Sequence, residues 1–333
     1  MHVFRIRLAA LALVVATVAG CAQLREYFYP TAPFVSAEWE ALLGEIRAYQ
    51  RRIGFVDTDN FSDLTKDFEG YPVCGHASRL YLPYSYEDPA IKWRDVETET
   101  ECLVGADGAD VFFTSVEAWG EIGTPVTPSM LDGKLDRFLY LVIHEDCHDQ
   151  FELPYGIEEA LCNLITYRAM AEFSRAKFGA DSREHRAIRR YAVQQSELTH
   201  VTKAVYDQLV PVYARYYRNE ISPDALLAER AAIFKKSYRA LGPTRAQPNN
   251  VIIANDMTYS RHYSLMEKVY EALGRDLART VAFFRLVDKA KPTPAEVLKK
   301  YRLKSEKGLD FIRAYESEVV MTIEKVLADP ARR

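Results

Sequence analysis

Apolar residues recur at helical spacing over most of this chain. Trp39, Leu42, Leu43, Ile46 and Tyr49 form one stripe across 37–52, with Ser36 placed as an N-cap. From Phe138 to Ile143 the chain is almost uninterrupted apolar sequence and runs straight into His144, the pattern of a buried helix. The segment 153–156, Leu-Pro-Tyr-Gly, punctuates it as a turn. Ile157, Leu161, Leu164, Ile165 and Tyr167 then begin a second amphipathic stretch. Beyond Gly179 the same reading predicts helices near 183–210, 223–240, 260–274 and 276–289, broken at Pro211, Pro223, Pro243 and Pro248. Residues 294–328 read as a further helical region. Strand-like runs are confined to 71–130, a stretch rich in Gly, Pro and Thr, where 79–84 and 111–115 are expected to be short strands.

Composition narrows the function classes. With 48% hydrophobic and 27% charged residues and a net charge of −4, the chain is an ordinary globular protein, and neither nucleic-acid binding nor a polybasic membrane patch is expected. The N-terminus adds a location. Residues 1–7 are short and basic, and residues 8–19 are apolar but too few to span a bilayer. Small residues then precede Cys21 in the sequence Val18-Ala19-Gly20-Cys21. This resembles a bacterial lipobox, which implies cleavage before Cys21, lipidation of its thiol and anchoring to a membrane surface. Ala22 in place of Asp suggests the outer membrane, with the domain facing the periplasm. The expected organisation is a signal peptide over 1–20, a membrane tether over 21–35, an N-terminal helix with small sheet and site helices over 36–182, and a helical lobe over 183–333.

The candidate chemistry sits where the apolar run ends. His144-Glu145-Asp146-Cys147-His148 reads H-E-x-x-H. Positions i and i+4 share one helix face, so both imidazoles can bind one Zn²⁺, and the Glu after the first His can act as general base on a water. Hydrolysis needs a third protein ligand and one open position. A third His at the spacing H-x-x-G-x-x-H is excluded, because residue 151 is Phe and residue 154 is Pro. The next helix supplies Glu158 and Glu159, which point about 100° apart, so one of them faces the metal. Glu159 is favoured, since Asn163 lies one turn on and could hydrogen-bond a ligand His. The other is then a glutamate at a helix N-terminus, favoured by the dipole.

Three blocks together resemble a known family: 110–126, Leu141–His148 followed by 158–162, and the segment Pro248-Asn249-Asn250 leading to Thr258-Tyr259. They look like the bacterial predicted-aminopeptidase lipoproteins, zinc peptidases of the HExxH-plus-Glu (gluzincin) kind. The resemblance spans roughly 105–285. The family has Leu-Ala where this chain has Asp146-Cys147, and Asn-Glu where it has Glu158-Glu159. The resemblance implies an α+β, mostly α-helical fold. It has a zincin-like catalytic core, a small antiparallel sheet whose edge strand holds an extended peptide, and a helical C-terminal lobe.

The expected function is thus a lipid-anchored envelope zinc metallopeptidase, an aminopeptidase acting on peptide or protein substrates. His144, His148 and Glu159 bind zinc, Glu145 is general base and then acid, and the resemblance places Tyr259 as oxyanion donor, with His262 and Tyr263 as alternatives. Glu158, Glu117 and Glu121 are candidates to hold a substrate α-amine. The competing reading is a catalytically weak or inactive zinc-binding interaction protein of the envelope. Of the remaining cysteines, Cys74 and Cys102 are the expected disulfide. Cys147 and Cys162, on the two site helices, either cross-link them or pack as small buried residues.

Overall fold

Helices carry most of the chain, and among the described residues one small sheet interrupts them early. The computed structural model describes residues 39–63, 65, 70–120, 123–132, 134–241 and 247–329. The expected signal peptide, tether, Cys21, Ser36 and Glu121 lie outside the described residues. No described helix is long and apolar enough to cross a membrane. In chain order the elements are α1 (Trp39–Arg52), β1 (Tyr71–Ser78), β2 (Lys92–Arg94), α2 (Glu99–Leu103), β3 (Ala109–Val116), α3 (Pro128–Asp132) and α4 (Leu135–His148). Then follow α5 (Tyr155–Phe178), α6 (Arg183–Tyr217), α7 (Pro223–Leu241), α8 (Asn250–Ser260), α9 (Tyr263–Ala272), α10 (Leu277–Ala290), α11 (Pro294–Tyr301) and α12 (Leu309–Ala328). The class is α+β and mostly helical.

The sheet is antiparallel in the order β2–β1–β3, so among the described residues β3 pairs with another strand on one side only. Pairing runs from Tyr71 opposite Val116 to Ser78 opposite Ala109. On β1, Cys74 and His76 share a face by the two-residue period of a strand. That face carries α2, which the Cys74–Cys102 disulfide ties to β1. The core is built on α4 and α5. Phe138, Leu139, Val142 and Ile143 are fully buried, as are Ile157, Leu161, Leu164 and Ile165. Both helices are apolar on more than one side, which is why α1, α6, α8 and α9 surround them. A second disulfide, Cys147–Cys162, cross-links α4 to α5 inside this core. The residue 182 boundary falls in the short connection between α5 and α6, which lie side by side.

Four segments differ from the sequence expectation. The run 79–84 is not a strand. Its carbonyls are taken by side chains instead: Asn250 Nδ2 donates to Tyr81 O at 2.7 Å and the Tyr213 hydroxyl to Arg79 O at 2.8 Å. Pro211 does not end its helix, because it sits on the exposed side of α6 while Val205, Tyr206, Leu209, Val212 and Tyr213 keep a buried stripe running through it. Residues 250–260 form a helix of their own, α8, capped when the Asn249 side chain accepts from Ile252 N at 3.0 Å. The 294–328 region is two helices, since Arg302 takes a left-handed conformation (φ 56°) that closes α11.

Asn249 and Asn250 do more than start a helix. Asn250 N donates to Asp110 Oδ2 at 2.8 Å, and Asn250 Oδ1 accepts from Arg230 Nε at 2.9 Å. Arg230 also pairs with Asp110. This buried network, on β3, α7 and α8, fixes α8 across the end of the sheet. It thereby places the residues that α8 presents to the cavity between sheet and α4.

Candidate metal centre

His144 and His148 stand one turn apart on α4, and their Nε2 atoms lie 3.3 Å from each other. The α4–α5 turn brings Glu159 to meet them. Its Oε2 is 3.2 Å from His144 Nε2 and 3.5 Å from His148 Nε2. Tetrahedral bonds of about 2.0–2.1 Å put zinc ligands about 3.3 Å apart. The three donor atoms therefore already form one face of such a tetrahedron. They are also the right donors, two imidazoles and a carboxylate, and all three side chains are buried. Among the described residues these three, and separately Cys74, His76 and Cys102, are the groups whose donor atoms converge to within 4.8 Å. The second group is closed by its disulfide.

Glu158 turns the other way and takes a different part. Its Oε1 is 2.9 Å from His148 Nδ1, and its Oε2 accepts from Leu153 N at 2.9 Å. It thus orients the imidazole from behind while Leu153, in the turn before α5, holds the carboxylate in turn. Among the described residues, His144 Nδ1 has no hydrogen-bond partner. That ring is held by stacking on Tyr140, with centroids 4.9 Å apart and planes 16° apart. Asn163 does not reach a histidine. Its Oδ1 accepts from the Tyr140 hydroxyl at 3.0 Å, because Tyr140 stands between them.

Electrostatics follow from this packing. Burial alone pushes the Glu159 pKa up, but His148 and His144 outweigh it and hold the carboxyl below the usual range. Burial pushes His148 down, and the charges of Glu159 and Glu158 more than reverse that, raising the imidazole well above its ordinary value. Two carboxylates facing two imidazoles make a pocket that attracts positive charge, whether protons or a metal ion.

Glu145 lies beside the triad and is fixed separately. Its Oε2 accepts from Gly120 N at 2.8 Å. A Cβ on residue 120 would overlap the Glu145 carbonyl, so only glycine lets this loop lie on α4. Asn60 Nδ2 also donates to the Glu145 carbonyl at 3.3 Å. The cavity in front holds about 540 Å³, and its walls include the β3 edge, Glu145, Tyr155 and Tyr259. Tyr259 comes from α8, its ring 6.4 Å from that of His144. Burial first, then the charges of Glu159, Glu145 and Asp256, keep its hydroxyl protonated far above neutral pH.

The other candidates go elsewhere. His262 Nε2 is 2.9 Å from buried Glu316, and the Tyr263 hydroxyl donates to Ser196 Oγ at 2.9 Å, so both are engaged away from the cavity. Glu117 lines the cavity but is paired with Arg137 at 3.2 Å. Tyr155 was not singled out from the sequence, although it stands four residues before Glu159 on the same helical face. Its hydroxyl is held well above its ordinary pKa by burial and then by the Glu159 charge. Tyr140 carried the same signal, four residues before His144. Gly120 carried none. Comparison with family models, with curated proteins and with solved structures finds no match for this chain. The site must be judged on its own geometry.

Proposed function

We propose that this chain is a zinc metallopeptidase with a zincin-like core, anchored to the cell envelope through a lipid on Cys21 and acting on peptide or protein substrates. The observation that carries the reading is the convergence of His144, His148 and Glu159 at the mutual spacing of zinc ligands, with Glu145 held beside them in one cavity. Held by those three residues, a zinc ion would supply Lewis acidity and an activated water. Glu145 accepts the proton of the attacking water and returns it to the leaving amine. The Tyr259 hydroxyl, kept protonated, donates to the oxyanion that develops on the scissile carbonyl. The edge of β3 away from β1 binds the substrate backbone in extended form. The resemblance to predicted aminopeptidases supports cleavage near a free N-terminus.

Glu145→Gln tests it. The variant keeps size and the ligand set, so zinc content of the purified soluble domain should stay at one ion per chain. Peptide hydrolysis should fall by at least about a hundredfold. An active Glu145→Gln enzyme overturns the mechanism. A wild type that holds zinc and cleaves no peptide of a broad library supports an interaction protein instead.

A further inference from the structure

The second group of converging donor atoms lies outside the site described so far. Cys74 Sγ is 3.5 Å from His76 Nε2, and Cys102 Sγ is 3.7 Å from the same nitrogen. Both cysteines are buried and His76 is half-buried. The ring is held at the sulfurs, because its Nε2–H donates to Cys102 O at 2.7 Å. A disulfide that only ties α2 to β1 needs no imidazole beside it. At a tetrahedral zinc, bonds of about 2.3 Å to sulfur and 2.0–2.1 Å to nitrogen put the two donors about 3.6 Å apart. His76 Nε2 stands close to that distance from both sulfurs. The cluster also borders the main cavity. Val73 and Leu103, the chain neighbours of Cys74 and Cys102, both line it, as does Glu99 of α2.

We propose that Cys74, Cys102 and His76 form a second metal site, closed while the disulfide stands and opened to a zinc-class cation when a dithiol reduces it. The dithiol gives two electrons and two protons to the Cys74–Cys102 bond and is itself left as a disulfide. The cation then displaces the two thiol protons. His76 binds it through Nε2, in the neutral tautomer that carries the ring proton on Nδ1. Two thiolates and one imidazole suit zinc and leave one position for water. The two thiolate charges balance a divalent cation, which makes its burial between them acceptable. In either state α2 is held to β1, by a covalent bond or through the metal, at the border of the main cavity. This site stands or falls independently of the peptidase reading.

Cobalt distinguishes the two metal sites. The full-length protein is reduced anaerobically with a phosphine, which brings no thiol of its own, and titrated with Co²⁺. Thiolate-bound cobalt has an intense charge-transfer band in the near ultraviolet, and a site made of His144, His148 and Glu159 gives none. The reduced wild type should show the band, the oxidised protein should not, and Zn²⁺ should bleach it. Cys74→Ser with Cys102→Ser should abolish it. His76→Ala keeps the disulfide, and its cobalt affinity after reduction should be at least about tenfold weaker. Circular dichroism checks that each variant is folded. A band that survives in the double serine variant would come from Cys147 and Cys162 and overturns the proposal. So does a reduced wild type without the band, or a cobalt affinity indifferent to His76→Ala. A Cys74–Cys102 pair that the phosphine leaves closed in the folded protein, read by alkylation and mass spectrometry, overturns it as well.

Discussion

The two walls of the cavity are built on different principles. The metal wall, α4 and α5, is contiguous in sequence, closed by the Cys147–Cys162 disulfide, and tied side chain by side chain: Glu158 to His148 and Leu153, Asn163 to Tyr140, Tyr140 to His144. The opposite wall is assembled from β3, the loop at Gly120 and α8, segments far apart in the chain. It is held by the Asp110–Arg230–Asn250 network at its far end, and it meets the metal wall at Glu117–Arg137 and at Gly120–Glu145. On the proposed function, the metal site tolerates little displacement of its ligands, whereas the wall facing the substrate can adapt. The difference predicts that metal-wall substitutions change zinc affinity and that opposite-wall substitutions change turnover with zinc retained.

The largest expected effect is on the metal wall. Glu159→Ala removes one of three ligands and the only one that carries negative charge. Zinc content after dialysis should fall from one ion to a trace, while thermal unfolding of the metal-free form changes little. Full zinc occupancy in Glu159→Ala, with loss in Glu158→Ala, would reverse the assignment of the two glutamates.

On the opposite wall, Tyr259→Phe removes one hydroxyl and almost no volume. Turnover should drop tenfold to a thousandfold, on the order of an oxyanion-donor loss, with zinc content and melting temperature unchanged. A Tyr that merely packs would give the reverse, lower melting temperature and normal turnover. If turnover holds, Tyr155 becomes the donor to examine, since its hydroxyl lies at the same cavity beside Glu159.

Much of the metal wall was legible in the sequence and little of the other. Helical phase alone put His144 and His148 on one face, and the turn at 153–156 brought the next helix back against them. Asn163 shows the limit of phase reasoning. It was placed near the ligands, but a side chain between them, Tyr140, took its hydrogen bond. The segments on the opposite wall needed tertiary information. The 79–84 run looked like a strand because its alternation was real, yet Asn250 and Tyr213, distant in sequence, claimed its carbonyls. Gly120 supports Glu145 through backbone contact, which leaves no pattern to read. The departures from the resembled family became intelligible only in the fold. Asp146 accepts from Gln50 Nε2 at 2.8 Å and from the Thr58 hydroxyl, tying α4 to the α1 region, and Cys147 is half of a disulfide. Glu158 holds the His148 imidazole. All three lie on the metal wall and reinforce it.

Glu158→Gln sharpens the comparison within that wall. The side chain keeps its shape and still has an oxygen for His148 Nδ1. It loses the charge that raises imidazole basicity and one acceptor for Leu153 N. Zinc affinity should fall by about 10- to 100-fold, the usual scale for a partner behind a ligand. Turnover per bound zinc should stay close to wild type. A larger loss of turnover than of affinity would mean Glu158 reaches the reacting atoms, which its position behind His148 argues against.

The smallest effect expected is for Tyr140→Phe. The ring that stacks on His144 is kept, and only the hydroxyl bond to Asn163 is lost. A neutral hydrogen bond of this kind contributes about 1 kcal/mol, and leaving its acceptor buried would cost more. Asn163 lines a small polar recess of about 170 Å³, however, so water can take the place of the hydroxyl. Stability should therefore change by about 1 kcal/mol or less, and zinc affinity by no more than about threefold. Isothermal titration with zinc and thermal melts of the same preparation measure both. A tenfold loss of zinc affinity would show that the Tyr140–Asn163 bond, and not the stacked ring, sets the orientation of His144. The two walls would then be coupled through Tyr140, which lines this recess together with Asp256 and Tyr259 of α8.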